Sequence, residues 1–189
     1  QDLFFNGNFS SENHEFDQYL KRFSYTFKNQ IYEHAGYAIL KNKKIILAMD
    51  IGQNPSKNFS KNYQAGALSF EIFSNEKKLL SNSGYFPDNK NKLNKLSKSS
   101  ALQNALVIED YSSCNFIKKN SYFVVDNGLR VLKKSIVFEK NYWKISGTHD
   151  GYLKKFGLNH EREIEFYPEQ SKFIGYDKII RKNPNKEIK

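Results

Sequence analysis

The chain has 189 residues, enough for one domain with a hydrophobic core and too few for two comfortable ones. Its formal net charge of +10 and isoelectric point near 9.4 make nucleic acid, an anionic membrane or an acidic polysaccharide the partners to consider. The lysines come singly and in pairs instead of in one stripe, which favours a scattered, solvated charge. Aromatic residues, mostly Phe and Tyr, make up 15% of the chain and favour β structure.

Several classes of protein are excluded by what the sequence lacks. The single cysteine, Cys114, excludes an intrachain disulfide and a cysteine-rich zinc site, and we expect it to be buried. No apolar run approaches the length of a membrane helix, so no membrane partner is expected. No aromatic and basic pattern resembles a known nucleic-acid module, so no nucleic acid is expected either. The one dense basic stretch, residues 90–98, either borders a cleft for a polyanion or is a solvated loop.

Taken in chain order, the pattern predicts strand after strand. Residues 1–35 have little strand character and are interpreted as a connector. Residues 37–40 and 45–49 predict a β-hairpin around an Asn-Lys turn. Further strands are predicted at residues 65–73, 79–82, 105–109, 122–125 and 131–138, with a long loop at 85–100. Residues 181–189 read as a charged tail. Strands joined by short turns predict an all-β antiparallel sandwich over residues 36–180.

The stretch from Trp143 to Asp177 carries the most chemistry. Alternation of apolar and polar residues predicts a strand that leads into a polar loop at His149, and a second strand that carries His160 and Arg162 and ends before a proline. Two imidazoles, a guanidinium and a carboxylate are therefore expected near the ends of adjacent strands.

Two interpretations of these side chains are open. His149 either contacts an anionic ligand or ends its strand, while the Asp150 that follows shapes the turn. His160 and Arg162 share one strand face because they are two residues apart. Arg162 is suited to a bidentate grip on a carboxylate or sulfate, and it is equally suited to an internal pair with Asp177 or Asp150.

Three segments together resemble a known family. They are "YQAGALSFEIFSNEKKLLSNSG", "SSALQNALVIEDYSS" and the stretch from Trp143 to Asp177. Their order and spacing are similar to the C-terminal β-sandwich of heparinase II/III-like proteins, polysaccharide lyases that join an N-terminal α/α toroid to a C-terminal antiparallel β domain. The resemblance covers roughly residues 36 to 180. It implies that residues 1–35 connect this domain to such a toroid, and that the source is bacterial.

At the positions where this family carries ligand-type side chains, the chain departs from the pattern. Members commonly have a His-x-His-x-Asp run in the first segment and a His-Asn-Thr run in the second, which supply a catalytic group and a structural zinc site. The matching residues here are Asn62, Gln64 and Gly66, then Gln103, Asn104 and Ala105. Carboxamides form hydrogen bonds but do not shuttle protons, and Gln is a poor zinc ligand, so we expect no metal and no cofactor.

The resemblance implies a domain that lines the cleft for an acidic, uronate-containing polysaccharide, has no catalytic residue of its own and acts with its own toroid domain. Residues Gln64 and Gln103 are the first candidates for substrate contact, although either could merely fill space. The other candidates are Asn62, His149, His160 and Arg162. The alternative is a non-catalytic carbohydrate-binding or structural module whose site has decayed. Open sheet edges would also permit a homodimer.

Overall fold

β-Strands form most of the regular structure in the computed structural model, which describes residues 18–19, 22–23, 32–75 and 77–184. The strands are β1 (Glu33–His34), β2 (Tyr37–Lys41), β3 (Ile45–Asp50), β4 (Phe70–Ser74), β5 (Lys77–Leu80), β6 (Asn115–Lys119), β7 (Tyr122–Asn127), β8 (Val131–Phe138), β9 (Trp143–His149), β10 (Leu158–Tyr167) and β11 (Lys172–Arg181). From residue 32 onward, the helices of the described residues are α1 (Lys92–Ser97) and α2 (Leu153–Phe156), with 3-10 turns at Lys57–Phe59, Ser100–Leu102 and Pro168–Gln170.

The strands form two antiparallel sheets and a separate hairpin. The first sheet has the order β1-β2-β3-β4-β5, the second has the order β11-β10-β9-β8, and β6 pairs with β7. The predicted hairpin of β2 and β3 is confirmed. Its turn is closed by Asn42, whose Oδ1 accepts hydrogen bonds from the backbone N–H groups of Lys44 and Ile45 at 2.9 and 2.8 Å. Over the described part of the chain, no helix meets the length and hydropathy needed to span a membrane.

One apolar core lies between the two sheets. Leu47 and Ile72 of the first sheet belong to the same buried cluster as Ile145 and Phe166 of the second. Trp143 packs edge-on against Phe166, with ring centroids 4.9 Å apart. Each fully buried side chain of this size contributes about 1.5–3 kcal/mol relative to its exposed state, so the inward faces hold the sheets together. The predicted all-β antiparallel sandwich is confirmed, and so is the burial of Cys114.

The strand predicted at 65–73 is only half correct, because β4 begins at Phe70. Leu68 has a φ of 60°, in the left-handed region, which an extended strand does not allow. A backbone hydrogen bond from Ser69 N to Gly66 O turns the chain here. The side chain of Leu68 then packs against Gly147 of β9, where an added Cβ would lie 2.4 Å from Leu68 Cδ2. The apolar alternation therefore reflects a buried turn in this part of the segment.

The loop predicted at 85–100 is wrong in part, because it contains α1. Asn91 caps the helix, and its side chain accepts a hydrogen bond from Leu93 N at 2.9 Å. The basic stretch 90–98 thus lies largely on a short helix. Lys98, which follows α1, is only 1% exposed, so this stretch is not a fully solvated loop.

One further prediction is wrong, and some strands were missed. The strand predicted at 105–109 is absent, and an isolated bridge between Ile108 and Tyr111 stands in its place. Strands β6 and β11 were not predicted, because both faces of these strands carry polar or exposed residues and alternation is weak. Most of the predicted connector and the residues beyond 184 of the predicted tail lie outside the described residues.

Candidate functional site

The two histidines of the Trp143–Asp177 stretch face each other across neighbouring strands. His149 of β9 is directly opposite His160 of β10, and Arg162 is directly opposite Asp177 of β11. His149, His160 and Arg162 point to the core side of the second sheet, since they alternate in phase with Ile145 and Ile164. Their exposed fractions are 1%, 0% and 7%.

A series of hydrogen bonds runs from Gly151 through the two histidines to Asp177, and each group donates to the next. Gly151 N donates to Nδ1 of His149 at 3.0 Å, so the proton of this ring is on Nε2. Nε2 then donates to Nδ1 of His160 at 3.1 Å, and Nε2 of His160 donates to Oδ1 of Asp177 at 2.6 Å. All four ring nitrogens therefore have a partner inside the protein.

Arg162 binds the far end of this chain. Its Nε and Nη2 donate to the two oxygens of Asp177 at 2.8 and 2.9 Å. Its Nη1 donates to the backbone carbonyls of Leu68 (3.0 Å) and Asn104. Of the two internal partners left open for Arg162, the structure places Asp177 there, while Asp150 pairs with Arg130. Arg162 thus fastens the turn at Leu68 to the second sheet.

Burial determines the charge states of this network. Burial, reinforced by the charges of His160 and Arg162, lowers the pKa of His149 from its ordinary 6.5 to about 3. Burial would raise the pKa of Asp177, but the hydrogen bonds from His160 and Arg162 outweigh it and hold that pKa well below its usual range. The network is neutral at His149 and ionic at Asp177, and its two histidines and its arginine are buried, whereas the Asp177 side chain is 40% exposed at the edge of the sheet. We interpret it as structural.

The positions that the family resemblance assigns to its site lie elsewhere, in a cavity of about 460 Å³ on the outer face of the first sheet. Asn62, Gln64, Gly66 and Gln103 all line this cavity, which we call the amide cavity. Two segments almost 40 residues apart meet here because the backbone N–H of Ala65 donates to Lys98 O at 2.8 Å. None of the histidines singled out from the sequence lines it.

The amides of this cavity differ in how they are bonded. Gln103 is 7% exposed, and its Nε2 donates to Ser97 O at 3.2 Å. Gln64 Nε2 is buried and has no acceptor among the described residues. Asn104 does not line the cavity, because its side chain pairs with the backbone of Phe70, whose N–H donates to Asn104 Oδ1 at 2.7 Å. A buried donor without a partner costs about 1–3 kcal/mol, so Gln64 is the side chain with most to gain from a bound acceptor.

Sequence reasoning missed the charged and aromatic members of the cavity. Tyr37 and Asp50 are cross-strand partners on β2 and β3, and Glu71 lies two strands from Tyr37 on the same outer face. The predicted hairpin contained the necessary signal, because a turn at 42–44 pairs residue 37 with residue 50. Tyr63 and Tyr85 add further rings to the wall.

Asp50 is the titratable group that stands out here. Burial raises its pKa from 3.8 to about 7, against a smaller opposite effect of the hydrogen bond that Gly52 N donates to Oδ1 at 3.0 Å. Burial, followed by the charges of Asp50 and Glu71, raises the pKa of Tyr37 to about 12. The cavity therefore contains a carboxyl group that changes charge near neutral pH and a tyrosine that stays protonated.

The side chains of the amide cavity do not fit the zinc ion that the family resemblance implies. Zinc takes His, Cys or carboxylate ligands, whereas Asn62, Gln64 and Gln103 offer carboxamides. Within the described ranges, no group of three or more His, Cys, Asp or Glu side chains is placed to hold a metal ion.

Comparison with known proteins identifies the family of this chain. The family model described as "Heparinase II/III-like, C-terminal" matches residues 29–186, which is most of the chain. Comparisons with curated proteins and with solved structures gave no match. The chain therefore belongs to the heparinase II/III-like family and contains its C-terminal domain.

Proposed function

We propose that this domain binds a polysaccharide through the amide cavity and lines the cleft for an acidic, uronate-containing chain in a larger heparinase II/III-like protein, without being catalytic alone. The observation that carries the proposal is the meeting of Asn62, Gln64, Gly66 and Gln103 in one cavity. Its volume of about 460 Å³ is within the roughly 300 to 1,000 Å³ of small-ligand sites.

The chemistry of the wall suits sugar hydroxyls. A carboxamide offers both donors and an acceptor, and a hydroxyl offers the same in return. Gln64 Nε2 lacks an acceptor in the part of the chain that the structure describes, so a sugar oxygen that it reaches would satisfy this donor. The rings of Tyr37, Tyr63 and Tyr85 add apolar surface with a polar edge, which matches the mixed character of a sugar ring.

The same wall is poorly equipped for the β-elimination that the family carries out. That reaction removes the proton beside the uronate carboxylate, neutralises the carboxylate and protonates the departing 4-linked oxygen. Asp50 could accept one proton, but Asp50 and Glu71 repel a substrate carboxylate when they are charged. The remaining groups would come from the toroid domain that the family resemblance implies.

A second candidate is a carbohydrate-binding module that no longer takes part in catalysis. The carboxamides at Asn62, Gln64 and Gln103 favour it, because they retain binding and remove proton transfer. The two candidates differ in the full-length protein. A lyase releases unsaturated uronate products that absorb in the ultraviolet, whereas a binding module retains the polysaccharide and releases none.

Gln64→Leu tests the binding itself. Leucine keeps the volume but removes the unpaired amide, so we expect an unchanged or higher free energy of unfolding and about tenfold weaker binding of mannotetraose by calorimetry. Gln170→Leu, on an exposed turn outside the cavity, is the matched control. Equal affinities of both variants and the unmodified chain would refute the proposal.

A further inference from the structure

A second cavity, of about 720 Å³, lies between α1, the loop before β6, the β6–β7 hairpin and α2. It shares no lining residue with the amide cavity, and the two adjoin at Lys98, whose Nζ donates to Tyr63 O. We call it the lysine cavity, after four of the residues that line it: Lys95, Lys98, Lys154 and Lys155. Nothing in the family match assigns a role to it. We propose that the lysine cavity binds a saccharide bearing a carboxylate or sulfate, and so provides an anion site separate from the amide cavity.

Charge is the first argument. The lysine cavity has four lysines against two aspartates, Asp110 and Asp126. Asp126 is already paired with Lys57 at 3.3 Å, and Lys154 also has an interaction within the protein, so the charge offered to an anion comes from the other three lysines. Neither Lys95 nor Lys155 forms an ion pair with another described residue. The amide cavity has the opposite balance, with two carboxylates and one lysine. An acidic chain therefore finds complementary charge in the lysine cavity.

The lysines are held by their surroundings, which is the second argument. Lys98 is 1% exposed, and its Nζ donates to Tyr63 O at 3.2 Å and to Lys61 O. Its ammonium also lies 5.7 Å from the centroid of the Phe116 ring. Lys155 Nζ lies over the ring of Tyr111, and Lys95 Nζ lies 6.0 Å from the centroid of the Phe123 ring. Cations placed against rings around a concave wall lose less side-chain freedom when an anion binds.

The shape and the aspartates favour a saccharide over single-stranded nucleic acid. The ring of Tyr111 packs edge-on against Phe156, with centroids 5.5 Å apart, and Lys155 covers one of its faces. Less of the Tyr111 ring is therefore open to a stacked base. Asp110 and Asp126 would repel a phosphate on every residue, but they accept hydrogen bonds from sugar hydroxyls. A sugar ring that has one acid group and several hydroxyl groups offers a negative charge to the lysines and hydrogen-bond donors to the aspartates.

The test uses the full chain and two β-1,4-linked probes of the same length, tetramannuronate and mannotetraose, which differ in their carboxylates. Lysine acylation read by mass spectrometry locates the ligand. We expect tetramannuronate to protect Lys95 and Lys155 and to leave Lys172 and Lys178 of β11 reactive, and we expect mannotetraose to protect none of the four. Uniform protection, or no protection, would overturn the proposal.

Matched variants test the energetics. Lys95→Gln with Lys155→Gln should weaken tetramannuronate binding about tenfold, and Lys172→Gln with Lys178→Gln, which removes the same charge from exposed positions outside the cavity, should change it by less than about twofold. Equal losses in the two pairs, or tighter lysine-dependent binding of tetrathymidylate, would overturn the proposal. The choice of a saccharide as the ligand rests on the proposed function. The binding affinity of the Gln64→Leu variant is therefore measured together with the affinities of the lysine variants. An effect of the lysine pair without an effect of Gln64→Leu would refute the amide cavity and support the lysine cavity.

Discussion

At the scale of single residues, the histidine network and the amide cavity differ in the face of the sandwich on which their side chains lie. His149, His160 and Arg162 are on the inner face of the second sheet, where every polar atom of the two rings is bonded within the protein. Gln64 is beside the outer face of the first sheet, and none of the described residues accepts a hydrogen bond from its amide nitrogen. The sequence showed which residue types are present, but the face of the sheet on which each side chain lies decides whether it is available to a ligand.

Arg162→Leu should be the most disruptive single change in the network. It leaves Asp177 and the carbonyls of Leu68 and Asn104 without their donor, so we expect a loss of roughly 3 kcal/mol in the free energy of unfolding, measured with urea. Arg130→Leu is the control, because that arginine pairs with Asp150 but its side chain is 75% exposed. Its loss should stay below about 1 kcal/mol. Similar losses in the two variants would mean that Arg162 is not a structural anchor.

At the scale of elements, the sequence predicts well wherever one face of a strand is buried. The ranges predicted for β2 and β3 agree with the structure because these strands place apolar residues against a core. The range predicted for β8 also agrees, although none of its residues is fully buried. Strand β11 was not predicted from the sequence, because it is an edge strand with exposed residues along most of its length. Without β11 the partner of Arg162 remained open between Asp177 and Asp150. The family resemblance singled out four residues that line the amide cavity, and the basic stretch 90–98 contains two of the four lysines of the lysine cavity. The positions of Asp50, Lys154 and Lys155 in these cavities depend on contacts between distant segments.

Gly147→Ala tests the contact that turns the segment before β4. An added Cβ would lie 2.4 Å from Leu68 Cδ2, in a core that closes around both residues, so Leu68 and its turn have to move. We expect a loss of about 1–3 kcal/mol in the free energy of unfolding and a lower melting temperature. Gly175→Ala on β11, where the nearest atom is Ile164 Cδ1 at 3.3 Å and the site is exposed, is the control and should be close to neutral. Equal losses would argue against the packing explanation.

At the scale of the whole molecule, groups on the two sheets give opposite pH dependence to stability. His149 has a folded pKa of about 3 against an ordinary 6.5, so the unfolded chain binds more protons between these values and its contribution is lost as the pH falls through this range. The pKa of Asp177 is also lowered on folding, so its contribution to stability is likewise lost as the pH falls below its ordinary pKa of 3.8. Asp50 has a folded pKa of about 7, so the folded chain binds more protons between 3.8 and 7 and stability is lost there as the pH rises.

These opposing terms predict a shallow profile for the unmodified chain between pH 3.8 and 6.5, since each group contributes a slope of at most about 1.4 kcal/mol per pH unit. Below pH 3.8 the terms of His149 and Asp177 act together, and stability should fall steeply. Asp50→Asn removes the contribution to the free energy of unfolding that declines as the pH rises. Urea unfolding of this variant should therefore show stability that climbs with pH across the whole window, with its largest gain over the unmodified chain above pH 7, where the buried carboxylate is charged. Parallel profiles for the two proteins would mean that Asp50 titrates as it does in the unfolded chain, and the outer face of the first sheet would then lack the titrating carboxyl that distinguishes its cavity.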